Sequence, residues 1–137
     1  MVATAQRVEV RPFTKDFDYP YIVEWWNARE MKPLPKDMLP NVGYMAVEED
    51  VRVAAGFLYQ SDATLTWLTW LVTSPEVSPR TAHEGLGLVI EILAGTAKAL
   101  GYKALFTSLG HSGLIKTLKR HGFKTTIEGY TELVRRI

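Results

Sequence analysis

The sequence predicts an α/β domain in three layers, with a mixed, mainly antiparallel sheet flanked by helices. Three observations carry this. Thr64 to Val72 alternates side chains with no charge on either face, as a central strand covered on both sides does. Ser78-Pro79 is a helix start, with Ser as cap and Pro at the first helical position, and the helical pattern then runs from Pro79 to Leu100. Lys103 to Thr107 returns as a strand, so Thr64 to Thr107 forms a right-handed parallel crossover.

The other elements follow in order. Val8 to Phe13 alternates apolar and polar residues and reads as a strand. Asp18 is placed to cap a helix, with Pro20 in its first turn. Tyr21 to Met31 then sets Ile22, Trp25, Trp26 and Ala28 at helical spacing. Met31 to Pro40 holds Pro33, Pro35 and Pro40 and reads as a loop with room for one short helical turn. Gly43 to Glu48 and Val51 to Tyr59 read as a hairpin joined at Glu49-Asp50. In the long helix Gly85 and Gly87 are weak points, each costing about 1 kcal/mol. Gly101-Tyr102 stops it. Ser108 to Gly113 is a polar loop, Leu114 to Arg120 a helix ended by His121-Gly122-Phe123, and Thr125 to Arg135 a last strand.

Composition narrows the function. The length of 137 residues suits one domain, 1–137, with one core. Apolar residues at 47% and charged residues at 23% fit a globular protein. A net charge of +1 argues against a nucleic-acid partner, which calls for a strongly basic face. The absence of cysteine excludes disulfides, zinc-thiolate sites and a thiol nucleophile. His83, His111 and His121 lack metal-binding spacing, so no metal is expected, and no Gly-x-Ser-x-Gly elbow supports a serine hydrolase. Met1 to Thr4 lacks the start of a signal peptide and no apolar run is long enough for a membrane span, so the expected location is the cytoplasm.

From Leu86 to Phe123 the order is helix, Gly-Tyr, short strand, polar turn, helix, Gly-Phe. That order and spacing resemble the acyl-CoA-binding half of the GNAT superfamily of N-acetyltransferases. The element order of the whole chain is similar as well, whereas the sequence-level match is confined to the final third. The resemblance implies acetyl-CoA as cofactor and an amine as acceptor. It implies a pantetheine arm paired with the backbone of the fourth strand, here Leu71, Val72 and Thr73. It also implies a phosphate loop at a helix start, where amides and the helix dipole favour an anion. Gly85-Leu86-Gly87 matches the glycines of that loop, but Ala82 stands where the family has Arg, leaving Arg80 or His83 to hold phosphate. The other reading is that both glycines allow close helix–sheet packing.

The closing segment departs further. Gly122-Phe123 fits the family pattern, His111 takes the usual Asn place, and Leu118 takes the place of the Tyr acid. Leucine cannot donate a proton. His111 or Ser112 is then the expected catalytic group, with water as a further donor. The fourth strand carries no carboxylate base, and Glu48, Glu49 and Asp50 read as charges of the hairpin turn. Trp67 and Trp70 are expected on opposite faces of their strand, and Trp25 and Trp26 to point different ways. This makes Trp26 and Trp70 the candidate substrate-binding residues at the acceptor groove. Lys116, Lys119, Arg120 and Lys124 form a basic cluster, a solvated helix face or an attractor for CoA phosphates or an acidic partner. His121 reads as a helix cap.

Two further classes remain open beside the enzyme: a catalytically degenerate GNAT scaffold that binds a protein partner, and an acyl-CoA binder without turnover. The cysteine-free chain and its His111-to-Phe123 segment are similar to small phage-encoded members of the superfamily, for which the host cytoplasm is the expected location. A monomer and a homodimer both fit, the latter through a final strand paired between chains.

Overall fold

The structure is a computed structural model that describes residues 7–109 and 111–137. Met1 to Thr4 and Gly110, read above as the chain start and part of a polar loop, lie outside the described residues. The elements are β1 (Val8–Pro12), α1 (Lys15–Ala28), a short 3-10 turn (Lys36–Met38), β2 (Val42–Glu48), β3 (Val51–Tyr59), β4 (Leu65–Thr73), α2 (Pro79–Ala99), β5 (Ala104–Phe106) and α3 (Ser112–Arg120). The five strands form one sheet in the order β1-β2-β3-β4-β5. Its first four strands pair antiparallel, and β4 pairs with β5 in parallel.

The sheet is covered on both faces. On one side α2 and α3 bury Leu86, Val89, Ile90, Leu93 and Leu118 against Val8, Val53, Leu58 and Leu68. On the other, α1 and the proline-rich loop bury Ile22, Trp25, Trp26 and Leu39 against Met45, Ala55, Phe57 and Val72. Helix α2 begins where its cap predicts. The Ser78 side chain accepts from the Thr81 N–H at 3.1 Å. Gly85 lies buried within α2, where an added Cβ would stand 2.6 Å from Val53 Cγ1 and 3.2 Å from Ala46 Cβ. The missing side chain lets the helix approach the sheet.

Four expectations change. Asp18 does not cap α1. The helix starts earlier, with Thr14 as N-cap, and Asp18 is fully buried one turn in. Its carboxylate accepts two bonds from Arg11 at 2.7 and 2.8 Å, one from Arg52 Nε at 2.7 Å and one from the Thr14 N–H at 2.7 Å. Burial alone would raise its pKa, but the bonds from Arg11, Arg52 and the Thr14 amide prevail and hold it at about 2, against an ordinary 3.8. Pro20 therefore falls in the second turn, not the first. Trp25 and Trp26 do not diverge into core and solvent; both are buried, in one core that joins Leu34 and Leu39 of the following loop to Met45, Ala55, Phe57 and Val72 of the sheet. The last strand does not form. Residues 125–137 are exposed without regular structure, and Gly129, at φ 70°, breaks the extended run in its middle. The regular alternation of β4 also fails, and this defines the site.

Candidate active site

β4 and β5 pair over only three registers, ending at Trp67 and Phe106. A last tie follows, the Thr107 hydroxyl donating to the Leu68 carbonyl at 2.9 Å. Beyond it β4 runs on to Thr73 and, among the described residues, no strand pairs with it on this side, which leaves a notch past the end of β5 that closes at Trp67–Phe106 and opens toward Thr73.

A bulge reshapes β4 at this point. Ala55 pairs with Val72 and Phe57 with Thr69, so Gly56 faces both Trp70 and Leu71. Trp70 takes the extra place with φ 54°, a left-handed conformation that is costly for a bulky residue. Gly56 makes the bulge possible: a Cβ there would meet Leu71 Cδ2 at 2.6 Å and Val89 Cγ1 at 2.9 Å. The bulge turns Trp70 to the α1 side, on the face that Trp67 occupies, instead of the opposite one. There its Nε1 donates to Tyr59 Oη at 3.0 Å and its ring meets Trp26 edge-to-face, with centroids 6.2 Å apart. Trp67 lies against Phe106, with ring centroids 5.3 Å apart, and both remain partly exposed at the closed end of the notch.

The bulge also sets which backbone groups face the notch. The Ser74 N–H donates to the Val53 carbonyl at 2.8 Å, making that pair hydrogen-bonded. Antiparallel alternation then turns Thr73 and Leu71 outward, away from β3, and Val72 inward. The outward Thr73 carbonyl accepts from Arg29 Nη1 at 2.6 Å. The Leu71 N–H and carbonyl and the Thr73 N–H belong to the open edge.

Because β4 and β5 run parallel, α2 and α3 begin at the same end of the sheet. Arg80 is exposed in the first turn of α2. Its amide stays outside the helix ladder, since the Ala82 N–H makes the first backbone bond, to Ser78, and the Ser78 side chain takes Thr81. His83 is exposed one turn on. Gly85 and Gly87 form no loop. They sit inside α2, whose interior amides are bonded along the helix, so they cannot cradle an anion with their backbone. Close packing against the sheet holds for Gly85, whereas an added Cβ at Gly87 would stand 3.3 Å from His121 Nε2, away from the sheet.

His111 is the N-cap of α3, its Nδ1 accepting from the Leu114 N–H at 3.1 Å. A lone pair used at Nδ1 leaves the neutral ring with its proton on Nε2, a hydrogen-bond donor with no basic nitrogen to offer. Ser112 is exposed in the first turn beside it. Leu118 is buried in the core between α3 and the sheet. His121 caps the other end of α3 and pairs with Glu91 of α2 at 2.6 Å. Among the described residues no cluster of ligating side chains could hold a metal, and no helix is long and apolar enough to cross a membrane.

Sequence reasoning missed the bulge, the outward Thr73 carbonyl and the part of Tyr59. One signal was present: an isolated glycine inside a strand, Gly56, marks a bulge or a close approach.

The sequence matches no protein-family model and no curated protein. Solved structures with the same fold are numerous. An acetyltransferase from Trypanosoma brucei is 14% identical, with a TM-score of 0.66 over 93% of this chain and 99% of its own. Glucosamine-6-phosphate N-acetyltransferase from Arabidopsis thaliana is 9% identical, with a TM-score of 0.69 over 95% of this chain and 100% of its own. An aminoglycoside acetyltransferase from an uncultured soil metagenomic sample, in complex with trehalose, is 12% identical, with a TM-score of 0.68 over 96% and 97%. The chain has the fold of the GNAT acetyltransferases.

Proposed function

We propose that the protein is an acetyl-CoA-dependent N-acetyltransferase and that the notch between β4 and β5 is its active site. The observation that carries the proposal is the bulged, one-sided β4: a strand interior whose Leu71 N–H and carbonyl and Thr73 N–H face a gap instead of a paired strand. Free edge groups of this kind pair readily with an extended ligand. The pantetheine arm of CoA carries two amides and fits such an edge. Acetyl-CoA supplies an acetyl thioester.

The chain's own groups do the rest. The Leu71 N–H is a preorganised donor for the thioester oxygen, which gains charge as a neutral amine attacks the carbonyl carbon. Arg80 adds positive charge at the open end. Trp70 and the Trp67–Phe106 pair wall the acceptor side, and Trp26 backs Trp70 from beneath. His111 would donate a hydrogen bond through Nε2 to the thiolate released as the C–S bond breaks, and Ser112 or water would carry the proton lost by the amine to that sulfur. The acceptor is an amine, on a small molecule or a protein.

The test is calorimetric titration with acetyl-CoA and CoA, followed by an amine screen with thiol release as readout. Micromolar binding that weakens in Arg80→Ala, with turnover on at least one amine, is expected. No binding up to millimolar acetyl-CoA would sink the proposal. A second reading, binding of acyl-CoA without turnover, is favoured by the capped state of His111 and the absence of a carboxylate from β4. Binding with no amine consumed would select it.

A further inference from the structure

Arg29 is the C-cap residue of α1, and its guanidinium reaches across to the end of β4. Nη1 donates to the Thr73 carbonyl at 2.6 Å and to the Trp25 carbonyl at 3.2 Å, and Nη2 donates to Thr73 Oγ1 at 3.0 Å. These bonds hold the planar head in place. They use three of its five donors, leaving Nε–H and one hydrogen on Nη2.

Its partners are all neutral. Arg11 and Arg52 share the buried carboxylate of Asp18, and Arg7 pairs with Glu48. Among the described residues Arg29 makes no such pair, and its full charge stands where the notch opens. The Thr73 carbonyl is the last outward acceptor of the β4 edge, since Thr73 is the final residue of the strand. Filling it with Arg29 ends the backbone ladder there. A ligand lying along Leu71 and Thr73 therefore runs out of strand partners at the guanidinium.

We infer that Arg29 is the diphosphate-binding residue of this site, anchored on Thr73 so that its free edge meets the anionic end of the ligand as that end leaves the strand. The inference rests on the proposed use of the notch by acetyl-CoA. It accounts for how an anion is held although Gly85 and Gly87 lie inside α2 and offer no loop of amides. A guanidinium fixed in a fork geometry suits a phosphate oxygen pair, and its pre-organisation lowers the ordering cost of binding.

The experiment measures acetyl-CoA affinity of the wild type, Arg29→Gln and Arg29→Lys at 50 and 500 mM salt, these concentrations being chosen on either side of about 10 Å screening. Gln keeps a donor for the Thr73 carbonyl and removes the charge. About a tenfold loss in Arg29→Gln at low salt is expected, shrinking at high salt, with partial recovery in Arg29→Lys. A loss that is the same at both salts would assign Arg29 to clamping α1 on β4, and no loss would remove it from the site; either result overturns the inference. A wild-type measurement covers variants that fail to fold. The Arg29 Nε–H resonance should move on adding acetyl-CoA and stay in place with acetyl-pantetheine, which lacks the phosphates. Movement with both, or with neither, contradicts the assignment. Wild-type protein that binds no acetyl-CoA defeats the reading of the notch itself, whereas binding that is indifferent to Arg29 defeats only this inference.

Discussion

Two ends of the same sheet handle polar groups in opposite ways. At the β1 side, Asp18 is fully buried, and its carboxylate takes four hydrogen bonds from Arg11, Arg52 and the Thr14 amide. Arg52 also lies over the Tyr21 ring, 3.9 Å from its centroid. At the β4–β5 side, backbone groups in mid-strand face a gap, Trp70 is held at φ 54°, and Arg29 carries a charge balanced only by neutral oxygens. The first region spends its polar groups on holding α1 against the sheet. The second leaves them available. Incomplete pairing inside otherwise regular structure is the physical sign of a site, because unmet backbone groups and a left-handed aromatic residue lower stability unless something else depends on them.

The contrast can be broken most sharply at Asp18. Asp18→Ala should cost about 3–5 kcal/mol in denaturant unfolding, since it strands two guanidinium groups around a buried hole. A loss below about 1 kcal/mol would mean that the corner is not the lock described. Acid sharpens the same point. The folded pKa of about 2 lies below the ordinary 3.8, so the stability is fully present above about pH 4 and is lost as pH falls through about 2. Its size is about 2 kcal/mol. Unfolding curves from pH 5 to pH 2 should show it in the wild type and not in Asp18→Asn.

A pair of glycines in α2 tests packing between the two ends. Gly85→Ala should destabilise by about 1–2 kcal/mol, because overpacking against Val53 outweighs the gain in helix propensity. Gly95→Ala, exposed with nothing within 4 Å of the added Cβ, should stabilise by roughly 0.5–1 kcal/mol. Equal effects at the two sites would contradict the close approach at Gly85. An effect of similar size belongs to the open end: His111→Ala should lower stability by about 0.5–1 kcal/mol through loss of the α3 cap. It should slow amine acetylation by more than that change in folding explains. Loss of stability without a change in rate would confine His111 to its capping role.

The elements that the sequence makes legible are those governed by local chemistry. Ser78-Pro79 marks the start of α2, Glu49-Asp50 marks the turn between β2 and β3, and the uncharged faces of Thr64 to Val72 mark a strand inside the sheet. Long-range choices were hidden. Asp18 has the chemistry of a cap, and only the approach of Arg11 and Arg52 from β1 and β3 makes it a buried partner. Thr125 to Arg135 has strand propensity, but β5 is short and Gly129 interrupts the run, and among the described residues no strand pairs with it. The place of Leu71 to Thr73 at the end of β4 was legible through the element order. The bulge was not, since Leu65 to Thr73 is apolar on both faces and alternation alone cannot show where it slips. Arg29 had no signal at all, because its partner lies forty-four positions away.

Amide hydrogen exchange followed by NMR tests, at the groups concerned, whether the outward backbone of β4 receives acetyl-CoA. With saturating acetyl-CoA the Leu71 and Thr73 amides should become strongly protected, while the Val72 amide, already paired with β3, should change little. Binding that leaves Leu71 and Thr73 exchanging as in the free protein would place the ligand elsewhere and exclude the β4 edge as its seat.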